Sequence, residues 1–182
     1  AASATGYVDD GVFMAYNLQP CFAEFNSLMY FANGNALLKM DGSEAISFVA
    51  NFLANITDLE VMSISGTAYL FIALGTSNNY WYMVAAETFT ESTAVVNDFK
   101  YFKLVDATAP TMWGSDGDAT IRSTINPLNG GTAWSGQTTI DASYNAITGL
   151  FSDSGLLYIT KTDMPYYLNT SCTGKSDLAP VL

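Results

Sequence analysis

A repeat is the feature that most constrains this chain. Four segments carry the same order of signals: an apolar strand-like run, a turn, a run rich in Tyr, Phe or Trp, a Gly or Asp turn, and a further apolar run. The second runs read Leu28-Met29-Tyr30-Phe31, Tyr69-Leu70-Phe71-Ile72, Thr111-Met112-Trp113-Gly114 and Leu156-Leu157-Tyr158-Ile159. With Met29, Leu70, Met112 and Leu157 as equivalents, the steps are 41, 42 and 45 residues. The third runs follow at a similar offset, at Leu37-Leu38-Lys39, Tyr80-Trp81-Tyr82, Thr120-Ile121-Arg122 and Tyr166-Tyr167-Leu168. Preceding runs fit at 22–25, 57–62, 101–105 and 146–151. A period of about 40–45 residues with roughly four strands per unit is that of a β-propeller blade. A blade is a small twisted sheet that cannot bury both faces alone, so it stacks on its neighbours. An irregular β-sandwich with chance spacing is the alternative, and three concordant steps argue against it.

The expected fold is therefore all-β: a propeller of about four blades with four antiparallel strands each. It forms one domain over residues 1–182, with blades near 22–52, 53–96, 97–139 and 140–182 and residues 1–21 as a leading or closing strand. Helical periodicity is poor. Residues 45–53, with Ile46, Phe48, Val49 and Phe52, read equally well as helix or strand. Pro20 and the loop 126–131 mark turns, not linkers.

Composition removes several chemistries. The chain of 182 residues has 6 Lys+Arg against 17 Asp+Glu, a formal charge of −11, and no histidine. So acidic a surface offers no footprint for a phosphate backbone, and nucleic-acid binding is not expected. Without histidine there is no Ser-His-Asp or Cys-His catalysis, no imidazole-bound zinc and no proximal-His haem. The longest apolar stretches, such as 68–74, are far short of the roughly 20 residues of a spanning helix, so no membrane insertion is expected. Residues 1–20 lack a basic and an apolar region, so no signal peptide is expected. The first residue is Ala1, which leaves a processed chain and a fragment equally open.

A surface short of Lys and Arg and rich in hydroxyls and amides suits an extracellular or virion setting. The sequons at Asn55 and Asn169 matter only in a eukaryotic secretory pathway. Cys21 and Cys172 are either two unpaired buried thiols or a bridge from the start of the chain to its end. A loop that long would stabilise by about 5 kcal/mol on the chain-entropy model.

At the level of single blades, Gly75-Thr76-Ser77-Asn78-Asn79-Tyr80-Trp81-Tyr82 followed by 87–92 resembles the strand-turn-strand of Asp-box, sialidase-like propeller repeats. Ile121-Arg122-Ser123-Thr124 with 129–134 looks like a stretched version. Asp153-Ser154-Gly155-Leu156-Leu157-Tyr158 keeps the Asp, Gly and aromatic spacing of the box, with Phe151 where the family has Ser or Thr. The run 101–182 resembles propeller segments of virion-associated proteins of uncultured phages. Four repeats suit either a closed four-bladed ring, similar to haemopexin-type domains, or an arc of a larger ring completed by more chain or another subunit. In the haemopexin-type arrangement a cystine joins the first blade to the last, and Cys21 and Cys172 lie where it would fall. Sialidases clamp a carboxylate with three arginines; this chain has only Arg122, so that activity is not implied.

Other polar candidates read as structure. Glu87 and Glu91, four apart, share a face as a glycosidase pair would, yet a charged edge strand is the simpler reading. Asp116 and Asp118 could offer oxygens to Ca²⁺, although two carboxylates around a Gly usually make a turn. The expectation is thus a chain with no catalytic residues, no cofactor and no enzymatic activity. Tyr80, Trp81, Tyr82, Trp113, Trp134, Tyr166 and Tyr167 are the candidate aromatic binding surface. Neighbours such as Tyr80-Trp81 and Tyr166-Tyr167 point to opposite faces of a strand, which leaves some aromatic surface for a partner. The expected role is structural or adhesive, in an oligomeric assembly with other protein subunits or glycans. A glycosidase or lectin-like domain and a filament subunit are the alternatives.

Overall fold

The computed structural model describes residues 20–76, 79–92, 98–106, 109–140, 145–163, 165–169 and 179–180. It is all-β, with four antiparallel four-stranded sheets arranged as the blades of a propeller. Blade 1 holds β1 (Phe22–Phe25), β2 (Leu28–Asn33), β3 (Ala36–Met40) and β4 (Ile46–Asn51). The segment that reads equally as helix or strand is thus a strand. Blade 2 holds β5 (Asp58–Ile64), β6 (Thr67–Ala73), β7 (Tyr80–Met83) and β8 (Phe89–Ser92). Blade 3 holds β9 (Tyr101–Val105), β10 (Thr111–Ser115), β11 (Thr120–Thr124) and β12 (Thr138–Thr139), with a 3-10 segment (Pro127–Ala133) before its last strand. Blade 4 holds β13 (Ile147–Asp153), β14 (Leu156–Lys161), β15 (Pro165–Asn169) and β16 (Ala179–Pro180).

Local chemistry sets the first hairpins. Asn26-Ser27, Ser65-Gly66 and Ser154-Gly155 connect the first two strands of blades 1, 2 and 4, and both residues of each pair have positive φ. That is the requirement of a two-residue type I′ turn, whose twist matches that of the strands it joins. Asp153 stands at the end of β13, beside this turn.

Alternation along the second strands then builds the junctions. Leu70, Met112 and Leu157 pack toward the preceding blade, whereas Tyr30, Phe71 and Trp113, one residue after Met29, Leu70 and Met112, pack toward the following one. Each strand therefore feeds two cores, and three clusters result. Phe25, Tyr30, Leu37, Leu59, Leu70 and Ile72 join blades 1 and 2. Phe71, Tyr80, Phe99, Phe102, Met112 and Trp134 join blades 2 and 3. Val105, Ile121, Ile147, Leu157, Ile159 and Leu168 join blades 3 and 4. Among the described residues no such cluster joins blade 4 to blade 1.

The second junction is the most aromatic. Phe99 and Trp134 lie 4.3 Å apart between ring centroids, and Trp134 Nε1 donates to the Tyr80 hydroxyl at 3.3 Å. The Tyr80 hydroxyl in turn donates to the Pro127 carbonyl, tying the 3-10 segment to blade 2. Gly114 makes this packing possible: a Cβ there would stand 2.7 Å from the Phe99 ring and 3.2 Å from Trp134.

Candidate functional site

The first strand of every blade is its innermost, and the beginnings of the four converge. They line a cavity of about 210 Å³, with Cys21 and Phe22 from blade 1, Thr57 and Asp58 from blade 2, Tyr101 from blade 3 and Thr148 from blade 4. A β-bulge at Ile147–Gly149 shapes the blade 4 wall. Propellers present such an axial opening because the inner strands cannot close completely on the axis.

Asp58 is the chemically distinctive group. Its Oδ1 accepts from the Leu59 amide at 2.9 Å and its Oδ2 from the Phe102 amide of blade 3 at 2.8 Å. Burial pushes its carboxyl up to about 7, with a further rise from nearby Glu60; the two amides and Lys103 hold it back. A carboxyl in that range both gives and takes a proton at neutral pH. Burial, and then the charge of Asp58, raise the neighbouring Cys21 thiol to about 12, so it is a poor nucleophile. Glu60, two residues on, is also raised by burial, against the ion pair it makes with Lys103 at 2.7 Å. Cys172 lies outside the described residues, so the structure does not address its bridge to Cys21.

Most of the candidate aromatic surface lies inside. Tyr80 and Trp134 are buried in the junction of blades 2 and 3, and Tyr166 in that of blades 3 and 4, with Lys161 Nζ 5.5 Å above its ring. Trp81 packs edge-on against Phe52 toward blade 1, and Trp113 packs toward blade 4. The expectation that neighbouring aromatics leave one exposed is corrected for Tyr80-Trp81: in a propeller both faces of an interior blade are core, so alternation sends one ring to each junction. Trp81, Tyr82, Trp113 and Tyr167 are half-buried, Tyr167 on the outer face of blade 4.

The paired glutamates serve separate partners. Glu87 accepts from Lys39 at 2.5 Å and from the Tyr30 hydroxyl at 3.2 Å, stapling blade 2 to blade 1. Burial and then Glu87 raise the Tyr30 hydroxyl to about 12. Glu91 accepts from Asn79 and, with half-buried Tyr82, lines a second cavity of about 270 Å³ beside Asn129. Asp116 accepts from the Asp118 amide at 3.1 Å across Gly117, whose φ is +92°. That is turn geometry, and among the described residues no three His, Cys, Asp or Glu side chains converge as a metal site would require.

Sequence reasoning missed Asp58. Its signal was present: Asp58 and Glu60 alternate with Leu59 and Val61 in a strand that must be buried on both faces, and carboxylates in such a strand need a special reason to be there.

No family model matches the chain, and no curated protein sequence matches it. Solved structures do. A streptogramin B lyase superposes with a TM-score of 0.60 at 16% identity, covering 90% of this chain and 53% of the lyase. A catalytically inactive histidine-to-alanine variant of virginiamycin B lyase from Staphylococcus aureus, with quinupristin, gives a TM-score of 0.63 at 12% identity, covering 88% and 54%. The likeness is one of fold. The chain spans about half the length of these enzymes. They also overturn the expectation that the chain is not an enzyme, because that expectation treated the propeller as a structural module and the fold is shared with lyases. The Asp-box and phage-protein resemblances are not shown by these structures.

Proposed function

We propose that this propeller works at its axis, binding a small uncharged polar ligand in the cavity at the start of the inner strands, with Asp58 exchanging a proton with it. The observation that carries this reading is a buried carboxyl, titrating near neutrality, in the wall where all four blades meet. Convergent polar groups in a concave site are the usual mark of a ligand pocket. Thr57, Thr148 and Tyr101 line the same cavity. The solved relatives in fold are lyases, and elimination chemistry needs a proton acceptor. The chain has no histidine, so it cannot repeat the role of the residue whose replacement inactivates virginiamycin B lyase; Asp58 is the acid–base group this cavity offers instead.

A thermal-shift screen of neutral polyols, lactones and small amides, followed by mass spectrometry for turnover, tests the proposal. Hits whose shift disappears in Asp58→Asn and Tyr101→Phe support it. Hits indifferent to both substitutions contradict it. A second reading, a contact with glycans, is favoured by the cavity where the Tyr82 ring, the Glu91 carboxylate and Asn129 come together. Its test is loss of glycan-array binding in Tyr82→Ala with the axial hits unchanged.

A further inference from the structure

The axial cavity holds a buried carboxyl and no basic side chain: its lining includes Asp58 and neither Lys nor Arg. The titratable groups around Asp58 are few. Glu60 is on its own strand. Blade 3 brings Lys103, which lies 2.7 Å from Glu60, and Tyr101, whose ring centroid is 5.3 Å from Lys100 Nζ. Blade 1 brings the Cys21 thiol, and the blade 4 wall, at Thr148, Gly149 and Leu150, has no ionisable group. Lys103 is thus committed to Glu60. Asp58 is left with two amide donors, from Leu59 and Phe102, which satisfy hydrogen bonds without supplying a full positive charge. A second group in the same wall is also incomplete. The Thr57 hydroxyl oxygen is buried and, among the described residues, has no hydrogen-bond partner. Buried polar atoms left in that state are uncommon and point to a missing partner.

We infer, resting on the reading of the axis as a ligand site, that its ligand is a weak organic base. A small nitrogen heterocycle enters uncharged, takes the proton of Asp58 and stays as its counter-ion, while Thr57 bonds a second polar atom of the ring. In the exchange the Asp58 O–H bond breaks, its electron pair stays on the carboxylate oxygen, and the proton forms an N–H bond on the base. A neutral polyol or lactone leaves Asp58 protonated and gains an ordinary hydrogen bond. A base gains a charge-assisted one, roughly twice as strong, and supplies the opposite charge that a buried carboxylate lacks. Anions are disfavoured by the same carboxyl and by the formal charge of −11, which draws protonated bases toward the protein. At about 210 Å³ the cavity falls below the roughly 300–1,000 Å³ of drug-sized sites, which suits a single ring.

Imidazole and pyrazole test this. The two rings match in size, each with one N–H and one bare nitrogen, but only imidazole is basic near neutrality, at about 6.5 in the histidine side chain. Both are titrated into the labelled protein and followed by NMR, with circular dichroism confirming that each variant is folded. Imidazole is expected to bind at least about tenfold more tightly than pyrazole at pH 7, and Asp58→Asn to abolish that preference. Asp58 and the ring share one proton in the complex, so wild-type affinity peaks between about pH 6.5 and 7. It falls on either side, where both groups are protonated or both are bare. Thr57→Val weakens imidazole severalfold, and an unchanged affinity there contradicts the second contact. Pyrazole binding as tightly as imidazole overturns the inference, as does an affinity that stays level from pH 7 down to 5. A lactone or polyol that binds through Asp58 where imidazole does not also overturns it, and leaves the axial reading standing. No binding by any of these compounds refutes both.

Discussion

Phe71 in blade 2 and Tyr158 in blade 4 hold the same place in the repeat, and each has a tyrosine directly opposite on the next strand, Tyr82 and Tyr167. Phe71 is fully buried, within 5.9 to 6.3 Å of Tyr69, Tyr80 and Tyr82 and in the cluster that holds Phe102 and Met112 of blade 3. Tyr158 stacks on Phe151 and stands 6.4 Å from Tyr167, both in its own blade, and among the described residues no ring of another blade meets it. The backbone and the residue type are alike, and the difference is the neighbour. In a propeller, therefore, the energetic value of an aromatic is decided by the blade that follows it more than by its own sheet.

The comparison can be broken by mutation. Phe71→Ala is expected to cost about 3–5 kcal/mol, the range for deleting a buried ring, whereas Tyr158→Ala costs less than about 1 kcal/mol in dilute protein. Urea denaturation with matched m-values checks both. Equal costs would mean that the sheets, not the junctions, hold the fold together.

The second junction carries two carboxyls, Asp58 and Glu60, on the innermost strand of blade 2, and pH reads them. Asp58 titrates near 7 in the fold and at an ordinary 3.8 when free. The folded state therefore binds more protons than the unfolded one between about pH 4 and 7. The stability this contributes is complete below pH 4 and is lost as pH rises through 7. At 1.36 kcal/mol per pH unit the loss amounts to about 4 kcal/mol. The stability of wild type relative to Asp58→Asn should fall across that window; a difference that rises with pH, or stays flat, would contradict the assignment.

A smaller effect sharpens the aromatic side of the same junction. Gly114→Ala forces the Phe99 ring away from a Cβ that would stand 2.7 Å from it, and overpacking of this kind costs about 1–3 kcal/mol. Gly149→Ala, with a single contact at 3.1 Å to the Thr160 hydroxyl, should be milder. Thermal melts of the two variants rank them.

The architecture was legible because it is periodic. The steps between Met29, Leu70, Met112 and Leu157 placed the second strand of each blade. The direction in which a side chain points was not legible in the same way. Tyr80 and Trp81 alternate as any strand must, yet whether a face meets solvent or another blade depends on sheets distant in sequence. Asp58 escaped notice for a related reason. Its distinctive property comes from burial against blade 3, whose Phe102, 44 residues on, donates to it across the junction. Glu87 likewise looked like edge-strand charge until Lys39 and Tyr30 of blade 1 appeared beside it.

The axial site stands or falls on the ionisation of one carboxyl. Carbon-13 NMR of the Asp58 side chain, followed from pH 3 to 9 with Asp58→Asn to assign the signal, measures it directly. A midpoint near 7 is the predicted result. A midpoint near the ordinary 3.8 would show a carboxylate fully charged at neutral pH, held only as a staple between blades 2 and 3, and the proton-exchanging site would be refuted.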